Sequence, residues 1–135
     1  MLGKRLGVDL GTINTLIWES GQIVLQEPSL VAIAAEEDPR RIPVIEIGQP
    51  VREMLGKVDS EDIQIVRPLQ NGVIADYEVA EAMLSYYMGK VTGRMRLFKP
   101  TVMMSVPYGV TSVEKRAVYE AAMAAGAREV FPIPE

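Results

Sequence analysis

Cysteine and histidine are both absent from the 135 residues, and each absence removes a class of chemistry. Without thiols there is no disulfide, no thiolate nucleophile and no cysteine-held metal. Without imidazole, the usual general base and the common zinc constellations are gone as well. No apolar run approaches the roughly 18 residues a membrane-spanning helix requires. The opening Met1-Leu2-Gly3-Lys4-Arg5-Leu6 is too short for the apolar region of a signal peptide. The expectation is a soluble or peripheral, cytoplasmic protein. An excess of positive charge is missing too. Against 18 Asp and Glu stand 14 Lys and Arg, a net charge of −4, so no nucleic-acid partner is expected. Carboxylates, hydroxyls, backbone N–H groups and oxygen-held metal remain, which is the toolkit of phosphate chemistry. With 48% hydrophobic residues the chain is too apolar to be disordered, and its length suits one globular unit or two small lobes.

Three β patterns open the chain. Arg5 to Asp9 alternates with Leu6 and Val8 on one face, followed by Thr15 to Glu19 and Gln22 to Gln26. Ser20-Gly21 links the last two as a hairpin turn, because Gly takes the positive φ such turns need. Gly11-Thr12-Ile13-Asn14 is another tight turn, and an antiparallel meander results. The middle is more broken: strands over Ser29–Ala35, Val44–Gly48 and Ile63–Val66, a short helix over Pro50–Leu55, and a loop over Pro68–Gly72. It reads as a small α+β lobe inserted into a larger one. Helix and strand then alternate. Asp76 caps a helix to about Lys90 with Val79, Ala80, Met83, Leu84, Tyr87 and Val91 inward. Val102–Val106 is a strand, Thr111-x-x-Glu114 is a capping box opening a second helix, and Glu129–Ile133 returns as a strand. A mixed sheet with helices packed on it follows.

The sharpest chemical feature is Val8-Asp9-Leu10-Gly11-Thr12-Ile13-Asn14-Thr15. An Asp ends a buried strand, and a Gly-Thr turn then points backbone N–H groups and two hydroxyls the same way. Such a turn holds phosphate oxygens by N–H donation, and the Asp9 carboxylate holds the waters of a Mg²⁺ ion. A plain β-hairpin turn uses the same residue types.

Val8 to Leu16 resembles the first phosphate motif of the superfamily that unites actin, sugar kinases and DnaK-type chaperone ATPases. Within it, the MreB family of bacterial actin homologues is the best match. Glu27-Pro28-Ser29-Leu30-Val31-Ala32-Ile33, Arg67-Pro68-Leu69 and Gly72-Val73-Ile74-Ala75-Asp76-Tyr77 with Glu81-Ala82-Met83-Leu84 resemble its segments in the right order. So do Val106 to Thr111, Val113 to Val118 and Ala125 to Val130. The resemblance implies an α/β, actin-like (ribonuclease H-like) fold: subdomain IA over 1–32 and 77–135, with subdomain IB inserted over 33–76. It further implies ATP and Mg²⁺ bound at Asp9, Gly11, Thr12, Ile13, Asn14 and Thr15. The resemblance also brings self-association into membrane-associated filaments that work with the wall-synthesis machinery in setting cell shape. The second phosphate loop, the motif leading into it and the adenosine pocket find no counterpart here. The expectation is therefore the N-terminal half of such a protein, inactive as an enzyme by itself.

By position Glu135 matches the carboxylate that orients the attacking water in the family, although a terminal Glu is a poor general base. Pro132 and Pro134 sit where a paired strand is expected, and each lacks an N–H donor. Asp76 falls in the family's first connecting motif, where a helix N-cap is the competing role. Finally, Lys90 to Lys99 carries four cations and no acid. There Arg94, Arg96 and Lys99 interleave with Met95, Leu97 and Phe98 in a loop suited to an anionic membrane surface; ordinary core packing of Leu97 and Phe98 is the alternative. Two other functional readings stay open: a stand-alone, non-catalytic interaction or membrane-binding half-actin domain, and a fragment of a superfamily kinase or chaperone.

Overall fold

The computed structural model describes residues 4–34, 44–57, 62–93, 99–107 and 109–134. Its elements, in chain order, are β1 (Arg5–Leu10), β2 (Asn14–Glu19), β3 (Gln22–Pro28), β4 (Val31–Ala34), β5 (Val44–Ile47), α1 (Gln49–Met54), β6 (Ile63–Val66), β7 (Leu69–Gln70), β8 (Val73–Ile74), α2 (Tyr77–Thr92), β9 (Thr101–Val106), α3 (Ser112–Ala124) and β10 (Glu129–Pro134).

The first three strands form the antiparallel meander, and β9 and β10 extend it in parallel on the β1 side, giving the order β10-β9-β1-β2-β3. Parallel neighbours need long crossovers, and α3 supplies the one between β9 and β10. Alternation decides what each face buries. Leu6, Val8, Leu10, Ile17, Leu25, Val102, Met104 and Val130 turn to one side and are buried there. Val79, Met83, Leu84, Tyr87 and Met88 of α2 meet them, as do Val118, Ala121 and Ala122 of α3. Both helix starts follow the sequence pattern. Asp76 Oδ1 accepts the Val79 N–H at 3.2 Å, and Thr111 and Glu114 exchange both capping-box bonds, at 3.0 and 3.1 Å. β10 pairs despite its two prolines because it is the sheet's edge, where a missing donor costs nothing on the open side.

A second, three-stranded sheet has the order β5-β4-β6. One of its faces joins the main core through Val31, Ile33, Ile47 and Val66. Its other face packs Leu30 and Ala32 against Val51 of α1, with Met54, Ile63 and Ile65 partly buried around them. Pro50 in the first turn suits a helix start, where its missing N–H has no partner to lose. Three hydrogen bonds hold the junction where β3 leads into β4. The buried Tyr87 hydroxyl donates to the Pro28 carbonyl at 2.6 Å, the Gln49 N–H donates to Glu27 Oε1 at 3.0 Å, and the Gly48 N–H donates to the Leu30 carbonyl at 2.9 Å. Burial, with Glu27 nearby, pushes the Tyr87 phenol well above its ordinary range.

One expectation is corrected. Pro68–Gly72 is not simply a loop: β7 and β8 pair as a miniature hairpin. Asn71 (φ 55°) and Gly72 (φ 77°) form its two-residue turn, and both positive φ values are what Asn-Gly supplies. Strands two residues long show no alternation, so pattern reading passes over them.

Candidate functional site

Parallel strands β1 and β9 end side by side, with Asp9 and Ser105 as register partners. Alternation sets the direction of each side chain: buried Val8 and Leu10 flank Asp9, and buried Met104 and Val106 flank Ser105. Both side chains therefore leave the sheet on the face away from the helices. They meet there, and Ser105 Oγ donates to Asp9 Oδ1 at 3.1 Å. A cleft of about 350 Å³ opens at this point, lined by Asp9, Leu10, Gly11, Asn71, Gly72, Ser105 and Pro107. Open α/β sheets take their ligands at the carboxyl ends of parallel strands. A larger hollow of about 470 Å³ lies at the opposite end, over Arg5, Thr101 and Glu129, the first residues of β1, β9 and β10. Position favours the smaller cleft.

The turn after Asp9 is held from several sides. The Gly11 N–H donates to the Asn14 carbonyl at 3.1 Å, and a Cβ on Gly11 would sit 2.5 Å from that oxygen. Beneath the turn, Ser29 donates its N–H to the Ile13 carbonyl at 2.8 Å and its hydroxyl to the Gly11 carbonyl at 2.7 Å. Ser29 has a single hydroxyl proton, so its 2.8 Å contact with Thr15 Oγ1 is donated by Thr15. Both hydroxyls are fully buried. Thr12 Oγ1 accepts the Gly72 N–H at 2.7 Å, and Asn14 Oδ1 accepts from Arg52 Nη2 at 3.3 Å.

This alters how the turn's donors are shared out. The sequence pattern aims two hydroxyls at a ligand, whereas the Thr15 hydroxyl is spent on Ser29 in the interior and that of Thr12 holds the β7–β8 hairpin. Among the described residues, the Thr12 and Ile13 N–H groups donate to no backbone acceptor, and they are what the turn has left to offer an anion. Asp9 is ion-paired with no cation among the described residues. No group of three or more acidic side chains that could hold a metal ion exists among them. A cation here would be held by Asp9 through its coordinated water, with ligand oxygens in the rest of its shell, since Mg²⁺ commonly keeps several waters. The donor set fits a magnesium–phosphate group.

Sequence reading passed over Ser29, Asn71, Gly72 and Ser105 as site residues. Asn71-Gly72 had a signal, the hairpin dipeptide. Ser105 had none, because its meaning depends on its register with a strand 96 residues earlier. Asp76 caps α2 and does not line the cleft. Lys99 is exposed, while Arg94, Met95, Arg96, Leu97, Phe98 and Glu135 lie outside the described residues.

A parallel-plus-meander sheet flanked by helices on one face, with an acid and a glycine turn at its carboxyl end, defines an actin-like fold. The backbone matches the crystal structure of MreB5 of Spiroplasma citri bound to ADP with a TM-score of 0.81 at 33% identity, over 98% of this chain and 38% of that one. It matches the MamK double helical filament with a TM-score of 0.74 over 96% of this chain and 41% of that one, where 22% identity shows the fold alone. Within that class, residues 3–135 match the sequence model of the MreB/Mbl protein family, and the chain belongs to that family. It is 44% identical over 137 aligned residues to the cell shape-determining protein MreB of Escherichia coli strain K12. That alignment takes in 100% of this chain and 39% of the relative, so the chain spans well under half of the relative's length. No helix among the described residues is long and apolar enough to cross a membrane.

Proposed function

We propose that these residues form the phosphate-holding wall of the nucleotide site in a cell-shape protein of the MreB type. The observation that carries this reading is the cleft at the carboxyl ends of β1 and β9, lined by Asp9 and Gly11. From there the turn runs on into Thr12 and Ile13, whose N–H groups donate to no backbone acceptor among the described residues. The ADP bound by the Spiroplasma relative supports it. Thr12 and Ile13 donate to phosphate oxygens, Gly11 lets the backbone close tightly, and Thr15 and Asn14 keep the turn in shape. Asp9 orients cation-bound water. Mg²⁺, when bound, supplies neutralisation of the phosphate charge. Glu135 is assigned, by position in the family, to orienting the attacking water in the full-length protein.

The same reading makes 33–76 a lobe inserted between 1–32 and 77–135. It also makes the protein a cytoplasmic filament former peripheral to the membrane and partnered with wall synthesis. The filament formed by MamK supports self-association as a property of the fold. Membrane contact is assigned to Met95, Leu97 and Phe98 with Arg94, Arg96 and Lys99. Each nearby cation adds about 1 kcal/mol at an anionic surface, so one copy binds marginally and a filament binds firmly by repetition. Replacing Leu97 and Phe98 by Ser is expected to remove liposome binding at low salt with the fold intact. Loss of the fold instead would assign both side chains to the core.

Calorimetry with Mg-ATP tests the nucleotide reading. A site buries about 70–90% of a small ligand, and one wall does not, so the 135-residue chain should give no saturable heat at micromolar affinity. A tight isotherm would mean that these residues build a complete site and would contradict the single-wall reading.

A further inference from the structure

The contact between Ser105 and Asp9 joins two strands that the backbone ladder already joins. What it adds is control of a carboxylate. An Asp side chain at a strand end is free to turn about two torsions, and here no cation among the described residues fixes it. The Ser105 hydroxyl donates to Oδ1 at 3.1 Å, which restrains the carboxylate, while Oδ2 accepts no hydrogen bond among the described residues and both residues line the cleft. Ser105 is itself held in place: buried Met104 and Val106 anchor β9 on either side of it. Partners of this kind orient the ligands of metal sites, and their loss typically costs about 10–100-fold in metal affinity.

We propose that Ser105 is a positioning residue that presents Asp9 to the cation of a bound metal–nucleotide. This rests on the nucleotide reading above and adds to it a residue that acts through Asp9 without touching the phosphates. Its signature is selective: the metal-dependent part of binding weakens, and the N–H donation from Thr12 and Ile13 does not.

The probe is Mn²⁺-ATP at millimolar concentration, followed by paramagnetic broadening of backbone amide signals in the ¹⁵N-labelled chain, with metal-free ATP in chelator as the parallel titration. Wild type should show broadening centred on the Asp9–Thr12 turn. Ser105→Ala should raise the Mn²⁺-ATP concentration for half-maximal broadening about tenfold and leave the metal-free titration of the Thr12 and Ile13 amides unchanged. Ser105→Thr, which keeps the hydroxyl, should restore the wild-type midpoint. If Ser105→Ala shifts neither titration, or shifts both equally, Ser105 does not position Asp9 and the inference is overturned while the nucleotide reading stands. Absence of broadening at the turn in wild type would overturn the nucleotide reading and this inference together.

Discussion

The five-stranded and three-stranded sheets differ in what covers them. The larger sheet has two long helices on one face, with Met83, Leu84, Tyr87 and Met104 sealed between the layers. Its other face is open, and Met103, Phe131 and Ile133 remain 52%, 48% and 41% exposed. The smaller sheet leans one face on the main core and has a single six-residue helix on the other, where Leu30, Ala32 and Val51 form its separate buried cluster. The turn with Asp9 and Gly11 therefore stands on the heavily packed layer. The elements that close around it differ. The helix α1, which reaches it through Arg52, belongs to the lightly packed part, whereas the β7–β8 hairpin, which reaches it through Gly72, is rooted in the large core by the fully buried Leu69 and by Ile74. The lightly packed α1 wall suits a site that must admit and release a ligand.

Substitutions in the two cores sharpen this difference. Leu84→Ala removes a fully buried side chain from the large core and should cost about 2–5 kcal/mol, read as a lower midpoint of cooperative chemical denaturation. Tyr87→Phe leaves the Pro28 carbonyl without its buried donor and should cost about 1–3 kcal/mol. Because Pro28 leads into the second sheet, amide exchange should speed up in β4 and β6 more than in β9. Val51→Ala removes about two methylene equivalents at roughly 0.8 kcal/mol each, and the loss should again be local, in β4 and β6. Equal loss of protection in β9 from Val51→Ala would show that the two cores unfold as one.

The smallest effect is electrostatic and belongs to the large layer. Hydrogen bonds from Thr111 hold the Glu114 carboxyl below its ordinary range. A depressed carboxylate pKa means that the unfolded state binds the proton more readily. The contribution is thus present above the ordinary glutamate range of about 4.3 and is lost as pH falls through the lower folded value. Glu114→Gln should flatten that part of the acid melting profile slightly, the carboxylate being exposed and well solvated. An acid profile identical to wild type would show that the capping box carries no charge-dependent stability.

Much of this architecture was legible in the sequence, for physical reasons. The meander, the capped helices and the β9–β10 strands follow from alternation, Asp76, the Thr111–Glu114 box and the length of apolar runs, all local signals. The turn at Gly11 was legible because close backbone approach demands glycine. Three things were not. The β7–β8 hairpin was too short to alternate, the burial of the Thr15 hydroxyl depended on Ser29, and the importance of Ser105 depended on parallel register. Each is set by partners distant in the chain, which periodicity does not report.

The central claim is that the carboxyl-end turn, rather than the larger hollow at the amino ends, is where phosphate is held. A per-residue amide shift map of the ¹⁵N-labelled chain, titrated to millimolar levels in turn with Mg-ATP, Mg-ADP and adenosine, tests it most directly. The largest shifts should fall on Thr12 and Ile13 with both nucleotides, and adenosine should leave those amides unmoved. Shifts centred instead on Arg5, Met103 and Phe131, or equal shifts at the turn with adenosine, would contradict it.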